Sequence, residues 1–150
     1  MTTSAPRSAS LRALSELGSR VRARAAKPYA DLAVQWQVVD AFLAAAREGD
    51  FEALIRVLDS NVVLRVDGGP HAPPAFARRP IFGAASVARE ATSFQDVGVR
   101  LEAVIVNGAP GLFIRFPARS ILGAFTVANG RIVEIDLIAD PDKLRGLPLE

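Results

Sequence analysis

A chain of 150 residues, half of them hydrophobic, is long enough to bury the core of one ordinary domain. It has no cysteine and a single histidine, which excludes disulfides, thiolate catalysis and a metal site built from several histidines of one chain. No apolar run reaches the length of a membrane span, and the N-terminus lacks the apolar stretch of a secretory signal. We therefore expect a cytoplasmic protein.

Residues 1–31 form a basic arm. The net charge of the whole chain is +2, yet this arm carries six arginine or lysine residues against two acidic ones. It either contacts RNA polymerase, DNA or another polyanion, or is a solvated segment that favours solubility. Its first ten residues have a composition typical of disorder. Residues 10–25 are predicted to form a short amphipathic helix, whose apolar positions are Leu11, Leu14, Leu17 and Val21.

Two helices and a strand are predicted after the arm. The first helix runs from Leu32 to Arg47. Its apolar stripe consists of Trp36, Val39, Phe42, Leu43 and Ala46. Asp50 is placed to cap a second helix, which the pair Ser60-Asn61 should end. The run from Val62 to Val66 is then typical of a strand.

The second half of the chain predicts a sheet. A loop begins at Asp67-Gly68-Gly69-Pro70, and a third helix follows at about Ala84 to Ser93. The predicted strands are Val99 to Val106, Leu112 to Phe116, Ser120 to Val127 and Arg131 to Ala139. Two Asn-Gly pairs between them favour type I′ turns. We therefore predict an α+β domain over residues 32–146, followed by a tail at 147–150: a cone-shaped, curved antiparallel sheet with three helices, enclosing a pocket.

Four stretches carry a resemblance to a known family: "AFLAAAREGDFEAL", "VNGAPGLFI", "SILGAFTVANGRIVEI" and "DPDKL". Together they resemble the SnoaL-like branch of the nuclear transport factor 2-like superfamily, over about Leu32 to Leu144. Two subgroups are most similar. One is the C-terminal extension of extracytoplasmic-function sigma factors, through "VDGG" and "DPDKL"; the other is the limonene epoxide hydrolase group, through "SILGAFTVANGRI". The resemblance implies a SnoaL-like, cystatin-like α+β barrel that forms a homodimer through the outer face of its sheet.

The resemblance to the hydrolases also indicates what this chain lacks. Epoxide hydrolases of this kind use an Asp–Arg–Asp set, and the arginine position falls on Arg115. The two aspartate positions fall on Pro117 and Leu137, so we do not expect that hydrolase mechanism. The sigma-factor resemblance has a gap as well, because the chain lacks the promoter-melting domain and most of the promoter-reading domain.

The superfamily also includes polyketide cyclases and ketosteroid isomerase, and the latter gives two further comparisons. The isomerase uses a tyrosine hydroxyl on its first helix, and this position falls on Phe42. Its catalytic aspartate falls on or beside Val66, with Asp67 one residue away. Because a slip of one residue moves a strand side chain to the other face, Asp67 qualifies only if it lies beyond the strand end.

Four titratable side chains are the candidates for catalysis: His71, Asp67, Arg115 and Asp40. His71 has an ordinary pKa near neutrality, so it suits a general acid or base, and Asp67 could orient it. Arg115 could stabilise an oxyanion, or it could pair with Glu102 on the sheet surface. Asp40 could project inward as an acid or base, or outward as an ordinary helix carboxylate.

Apolar side chains are the candidates for binding a substrate. They are Trp36, Phe42, Leu64, Val66, Phe76, Phe94, Phe113 and Leu137. In the final strand, Leu137 alternates in phase with Val133 and Ile135, so this row should face the pocket. Glu134 and Asp136 should then share the other face with Ile132 and Ile138, which favours a structural role for the two carboxylates.

Two functions from different classes remain open. The first is a cofactor-independent enzyme, a cyclase, dehydratase or isomerase that moves a proton next to a carbonyl of a hydrophobic, oxygenated, polyketide-like molecule. The alternative is a non-catalytic, ligand-sensing regulatory domain derived from a sigma-factor extension. We expect no cofactor and no metal, because the sequence has no glycine-rich phosphate loop and no paired metal ligands. The expected partners are a hydrophobic small molecule, a second copy of the chain, and RNA polymerase or DNA; a membrane is not expected.

Overall fold

The helices and strands of the computed structural model lie within residues 7–8, 32–70, 80–93, 99–106, 108–117 and 119–145, which are the residues that it describes. The helices are α1 (Leu32–Glu48), α2 (Phe51–Val57), α3 (Ala84–Thr92) and α4 (Pro141–Arg145). The strands are β1 (Arg7–Ser8), β2 (Leu58–Asp67), β3 (Ile81–Phe82), β4 (Arg100–Val106), β5 (Ala109–Arg115), β6 (Ser120–Ala128) and β7 (Arg131–Ile138). Within these ranges, no helix combines the length and the apolar character that a membrane span requires.

The strands form one sheet in the order β1-β4-β5-β6-β7-β2-β3. Strands β4 to β7 are an antiparallel meander, as the sequence predicts. Strand β2 runs parallel to β7, and the two short strands β3 and β1 lie at opposite edges, beside β2 and β4. The predicted α+β class with a curved, unclosed sheet is confirmed.

Local chemistry explains where several elements begin and end. The Asp50 side chain accepts a hydrogen bond of 3.1 Å from the backbone N–H of Ala53, so it caps α2 as predicted. Asn129 and Gly130 have φ angles of 54° and 74°, the left-handed conformation that a two-residue type I′ turn requires. Asn107, in the other predicted Asn-Gly turn, lies outside the described residues.

Ser60 and Asn61 do not separate a helix from a strand, contrary to the prediction. Helix α2 ends at Val57, and β2 begins directly at Leu58 and includes both residues. The backbone N–H of Asn61 donates to the Asp59 carboxylate at 2.8 Å, and the register of β2 on β7 shifts between Leu58 and Val63. The polar pair therefore forms an irregularity within a strand, which is how a bulge accommodates residues that suggest a turn. Strands β1 and β3 were not predicted.

Buried apolar side chains form two clusters, one on each face of the sheet. The helix-facing core joins α1, α2 and α3 to one face; its strand residues include Leu64, Leu112, Ile114, Phe125, Ile135 and Leu137. The outer patch lies on the other face and consists of Val104, Val106, Phe113, Leu122, Ala124 and Ile138. Leu144 of α4 packs against the outer patch. The sheet is thus buried on both faces rather than on one.

We expect Gly111→Ala to destabilise the domain by about 1–3 kcal/mol, because β5 passes too close to its neighbours for a methyl group. A Cβ at Gly111 would lie 2.5 Å from Val106 Cγ2 and 2.6 Å from the carbonyl oxygen of Gly123. Gly130→Ala is the control: its Cβ would meet no atom within 4 Å, so only its positive φ opposes alanine. Denaturant unfolding should give the larger loss for Gly111→Ala, and equal losses would contradict the close approach.

Candidate functional site

Four of the predicted binding residues come together in the helix-facing core. They are Phe42 on α1, Leu64 and Val66 on β2, and Leu137 on β7. The Phe42 ring meets the Phe125 ring edge to face, with centroids 5.3 Å apart and planes inclined by 67°. The side of the sheet that faces the helices is therefore lined by aromatic and aliphatic side chains that are buried or half-buried.

Gly123 allows Leu137 to lie across β6. A Cβ at Gly123 would stand 2.7 Å from Leu137 Cδ2, so no larger residue fits there without displacing that leucine. Leu137 occupies the position at which the resemblance places a hydrolase aspartate. In this chain the position is 7% exposed and belongs to the helix-facing core. It contributes apolar contact and no acid or base.

The two remaining predicted site residues of α1 have different environments. Trp36 is half-buried, two helical turns before the buried Leu43 and on the same side of the helix. Asp40 is exposed. The Asp40 side chain therefore projects outward as an ordinary helix carboxylate, which is one of the two alternatives predicted for it. An exposed carboxylate on a helix keeps its hydration and does not meet a molecule that is bound between helix and sheet.

Arg115 and Phe113 lie on the outer face of the sheet, which for Phe113 is opposite to the face that we expected. Phe113 belongs to the outer patch, whereas its β5 neighbours Leu112 and Ile114 belong to the helix-facing core. Arg115 Nε donates a hydrogen bond of 3.1 Å to Glu102 Oε2, and the guanidinium carbon stands 4.9 Å from the Phe113 ring centroid. Of the two alternatives for Arg115, the structure has the surface pairing with Glu102. The cation–π contact with Phe113 adds to this pairing. Alternation along β5 places both side chains away from the helices.

Glu134 and Asp136 face Arg65 on the outer face of the sheet. Arg65 Nη1 lies 3.4 Å from Glu134 Oε1 and 3.5 Å from Asp136 Oδ1, and Asp136 is only 1% exposed. Ion pairs in such a site hold strands in register and are costly to break on one side. The two carboxylates thus share the outer face as predicted.

One residue of the predicted outer row departs from it. Ile132 belongs to the helix-facing core, not to the face of the two carboxylates. The pairing of β7 with β6 moves from Glu134–Thr126 to Ile132–Val127, so Val133 is an extra residue on β7. Such a bulge reverses the alternation of side chains for the part of the strand that precedes it.

Asp67 fastens the end of β2 to the C-terminal helix α4. Its Oδ2 accepts a hydrogen bond of 2.7 Å from Lys143 Nζ, and its Oδ1 accepts one of 3.1 Å from the Gly69 backbone N–H. Its carbonyl oxygen accepts the N–H of Ala139 at 2.8 Å. The carboxylate is therefore engaged by a cation and a loop, in the role of a structural tie. We name this contact of Asp67, Gly69, Asp140 and Lys143 the strand-end tie.

Asp140 completes the strand-end tie from the other side. Gly69 has φ +81°, and a Cβ on it would lie 2.5 Å from Asp140 Cγ. The Asp140 side chain is buried, and its Oδ1 accepts the backbone N–H of Asp142 at 3.0 Å. Sequence reasoning missed Asp140 and Lys143 as interacting residues. The signal was present, because the tie joins the "VDGG" and "DPDKL" segments singled out above.

The structure does not bring the four catalytic candidates together. Asp40 is exposed, Arg115 lies on the outer face and Asp67 belongs to the strand-end tie. His71, Phe76 and Phe94 lie outside the described residues. In the part of the chain that the structure describes, no group of three or more histidine or acidic residues could hold a metal ion.

We expect Gly69→Ala to destabilise the domain by about 1–3 kcal/mol, because its Cβ would strike the Asp140 carboxylate and its φ is positive. A double-mutant cycle with Asp140→Ala separates the two causes. In the Asp140→Ala background, Gly69→Ala should cost less, since only the backbone strain remains. The free energy of unfolding of the four proteins measures the coupling, and strictly additive losses would contradict the contact.

Comparisons with known proteins bear on the fold. Neither a protein-family model nor a curated protein matches the sequence. Among solved structures, the extracytoplasmic function sigma factor SigJ of Mycobacterium tuberculosis matches with 28% identity and a TM-score of 0.63. The match covers 94% of this chain and 53% of SigJ, so the chain spans about half the length of that protein.

Two solved structures described as enzymes share the fold at lower identity. An LEH-like epoxide hydrolase of M. tuberculosis matches with 18% identity and a TM-score of 0.51, over 75% of this chain and 86% of that one. A putative ketosteroid isomerase of Kribbella flavida matches with 11% identity and a TM-score of 0.52, over 71% and 77%. The chain has the α+β fold of nuclear transport factor 2-like proteins, which confirms the SnoaL-like resemblance of its sequence motifs.

Proposed function

We propose that this chain is a ligand-binding regulatory domain rather than an enzyme. One observation carries the proposal: the described candidates for acid/base work all lie away from the helix-facing core, which is itself apolar. Asp67 and Arg115 are each engaged in an ion pair, and Asp40 is exposed. A site of this composition stabilises a bound molecule by removing apolar surface from water.

The composition of the core indicates the class of ligand. Phe42, Phe125 and Leu137 offer an aromatic and aliphatic surface that suits a flat, hydrophobic molecule. The half-buried Val66 packs at the margin of this surface. A hydrophobic compound such as a polyketide-like metabolite has the apolar area that such a surface binds.

The regulatory part of the proposal is supported by the likeness to SigJ. That likeness extends over 94% of this chain, beyond the domain itself and into the basic arm. We propose that the occupied domain acts on the transcription machinery, with the arginines of the arm contacting RNA polymerase or DNA. The chain spans about half of SigJ, so the proposal concerns the role of this half alone.

We expect Val66→Phe to weaken the binding of an apolar ligand by about tenfold, or about 1.4 kcal/mol. Val66 is half-buried at the end of β2 and packs on the helix-facing core, so a phenyl ring there would occupy the ligand's space. Titration with the hydrophobic dye anilinonaphthalene sulfonate measures the change. Native mass spectrometry of the purified chain checks whether a small molecule is already bound.

Val57→Phe is the matched control for this substitution. Val57 is also half-buried and also packs on the helix-facing core, but it is the last residue of α2 and precedes the start of β2. Leu58, the next residue, pairs with Ile132 of β7, whereas Val66 pairs with Leu137, which places the two valines roughly 17 Å apart along the sheet. Val57→Phe should leave the dye affinity within about twofold while it perturbs stability to a similar extent. Equal effects of the two substitutions on affinity would contradict a ligand site near Val66.

A cofactor-free enzyme is the second candidate, favoured by one observation. Asp67 stands at the end of β2, partly exposed, four residues before the single histidine of the chain. If the domain catalyses cyclisation, dehydration or isomerisation of its ligand, His71→Ala should abolish turnover and leave dye binding unchanged. Asp67→Asn should lower the rate through loss of orientation. Product formation that survives His71→Ala contradicts the role of His71, and no product at all from the co-purified molecule contradicts the enzyme.

A further inference from the structure

The outer patch is more deeply buried than a bare sheet face allows. Val104 and Leu122 are 0% exposed, and every residue of β6 from Ile121 to Thr126 is buried. A sheet with one solvated face shows alternate buried and exposed residues, whereas an unbroken buried run belongs to a strand covered on both sides. A second layer therefore lies over the outer face.

The described residues supply only part of that layer. Among them, Leu144 of α4 is the apolar side chain from beyond the sheet that packs against the outer patch. The patch extends over β4, β5, β6 and β7, which is a width of about 14 Å at the usual spacing of strands. A single leucine cannot cover that width.

The course of the chain brings one segment to this face. Strand β1 pairs with β4, with Arg7 opposite Val104 and Ser8 opposite Ile105. Residues 9–31 must then connect the β4 edge of the sheet to the start of α1 at Leu32. A helix over residues 10–25 would be about 24 Å long, which is sufficient to cross the four strands.

The amphipathic pattern agrees with the same placement. Leu14 and Leu17 lie on one side of the predicted helix, and Ser19 and Ala23 lie on the other.

We propose that residues 10–25 cover the outer patch of their own chain as an amphipathic helix. The residues that contact the patch are Leu11, Leu14, Leu17 and Val21. Arg12 lies on the opposite side of this helix and stays accessible to a partner. Any protein that binds the sheet face, including a second copy of the chain, must first displace the arm.

The sequence has no cysteine, so an introduced cysteine is the only thiol that can react in the assay. Ala124→Cys reports on the outer patch and Ala88→Cys reports on the helix-facing core, since both alanines are buried. The rate of reaction with a maleimide is measured for each in three full-length backgrounds. These are the unaltered arm, Leu14→Asp with Leu17→Asp, and the matched control Ser19→Asp with Ala23→Asp.

The expected result is a selective loss of protection. The leucine substitutions should raise the reaction rate of the thiol at position 124 by at least about tenfold, while the control substitutions leave it unchanged. The thiol at position 88 should stay slow in every background, which shows that the domain is folded. If the double leucine variant does not fold, Leu17→Ser replaces it and should give a smaller increase in the same direction.

Two outcomes would overturn the proposal. Unchanged protection at position 124 in the leucine variant means that another segment covers the patch. Protection that falls as the protein is diluted, with light scattering showing a dimer that dissociates, means that a second copy covers it. Protection that is independent of protein concentration and lost only with the leucines supports the cover by the same chain.

Discussion

The burial of both faces of β5 and β6 is the constraint on which the rest of the structure depends. From Pro110 to Ile114 and from Ile121 to Thr126, every residue is buried. Helices α1 to α3 cover one face of these strands, so the other face requires a layer of its own. This requirement determines which side chains are available for chemistry, because the apolar residues of the outer patch are as enclosed as those of the helix-facing core.

The same constraint explains where the charges are. The carboxylate of Asp136 is almost completely enclosed on the outer face, and burial of an isolated charge there would be costly. Arg65, on the neighbouring strand β2, offsets that cost and also ties β2 to β7 in parallel register. In the strand-end tie, the cation of Lys143 likewise pairs with the Asp67 carboxylate and holds the loop after β2 to α4. These charged groups stabilise the fold, and the helix-facing core is left apolar.

Much of the fold could be predicted from local chemistry alone. The Asn129-Gly130 turn and the Asp50 cap depend on a few adjacent residues, and the structure has both. The faces of β5 and β7 were harder to predict, because a one-residue slip or bulge exchanges the two faces of a strand. Phe113 was assigned to the wrong face, the two alternatives for Arg115 were left open, and the extra residue Val133 moved Ile132 to the helix-facing side.

The candidate site was less predictable than the fold for a related reason. Hydrophobic alternation identifies a face only when the other face is solvated, and here Phe113 and Leu112 are both buried on opposite sides of one strand. A sequence pattern cannot distinguish a buried outer layer from a buried core. Leu64 and Leu137 lie on strands whose outer rows carry the charges of Arg65, Glu134 and Asp136. The apolar rows of these strands therefore indicate which side faces the helices.

The strand-end tie favours a regulatory role over a catalytic one. It joins the loop that precedes His71 in the sequence to α4, and Leu144 of α4 packs on the outer patch. A ligand that shifted the Asp67 loop would therefore act on Lys143 and, through α4, on the layer that covers the outer face. Catalysis alone does not require such a connection. A sensor does need it, because the bound state must alter a surface that a protein partner can contact.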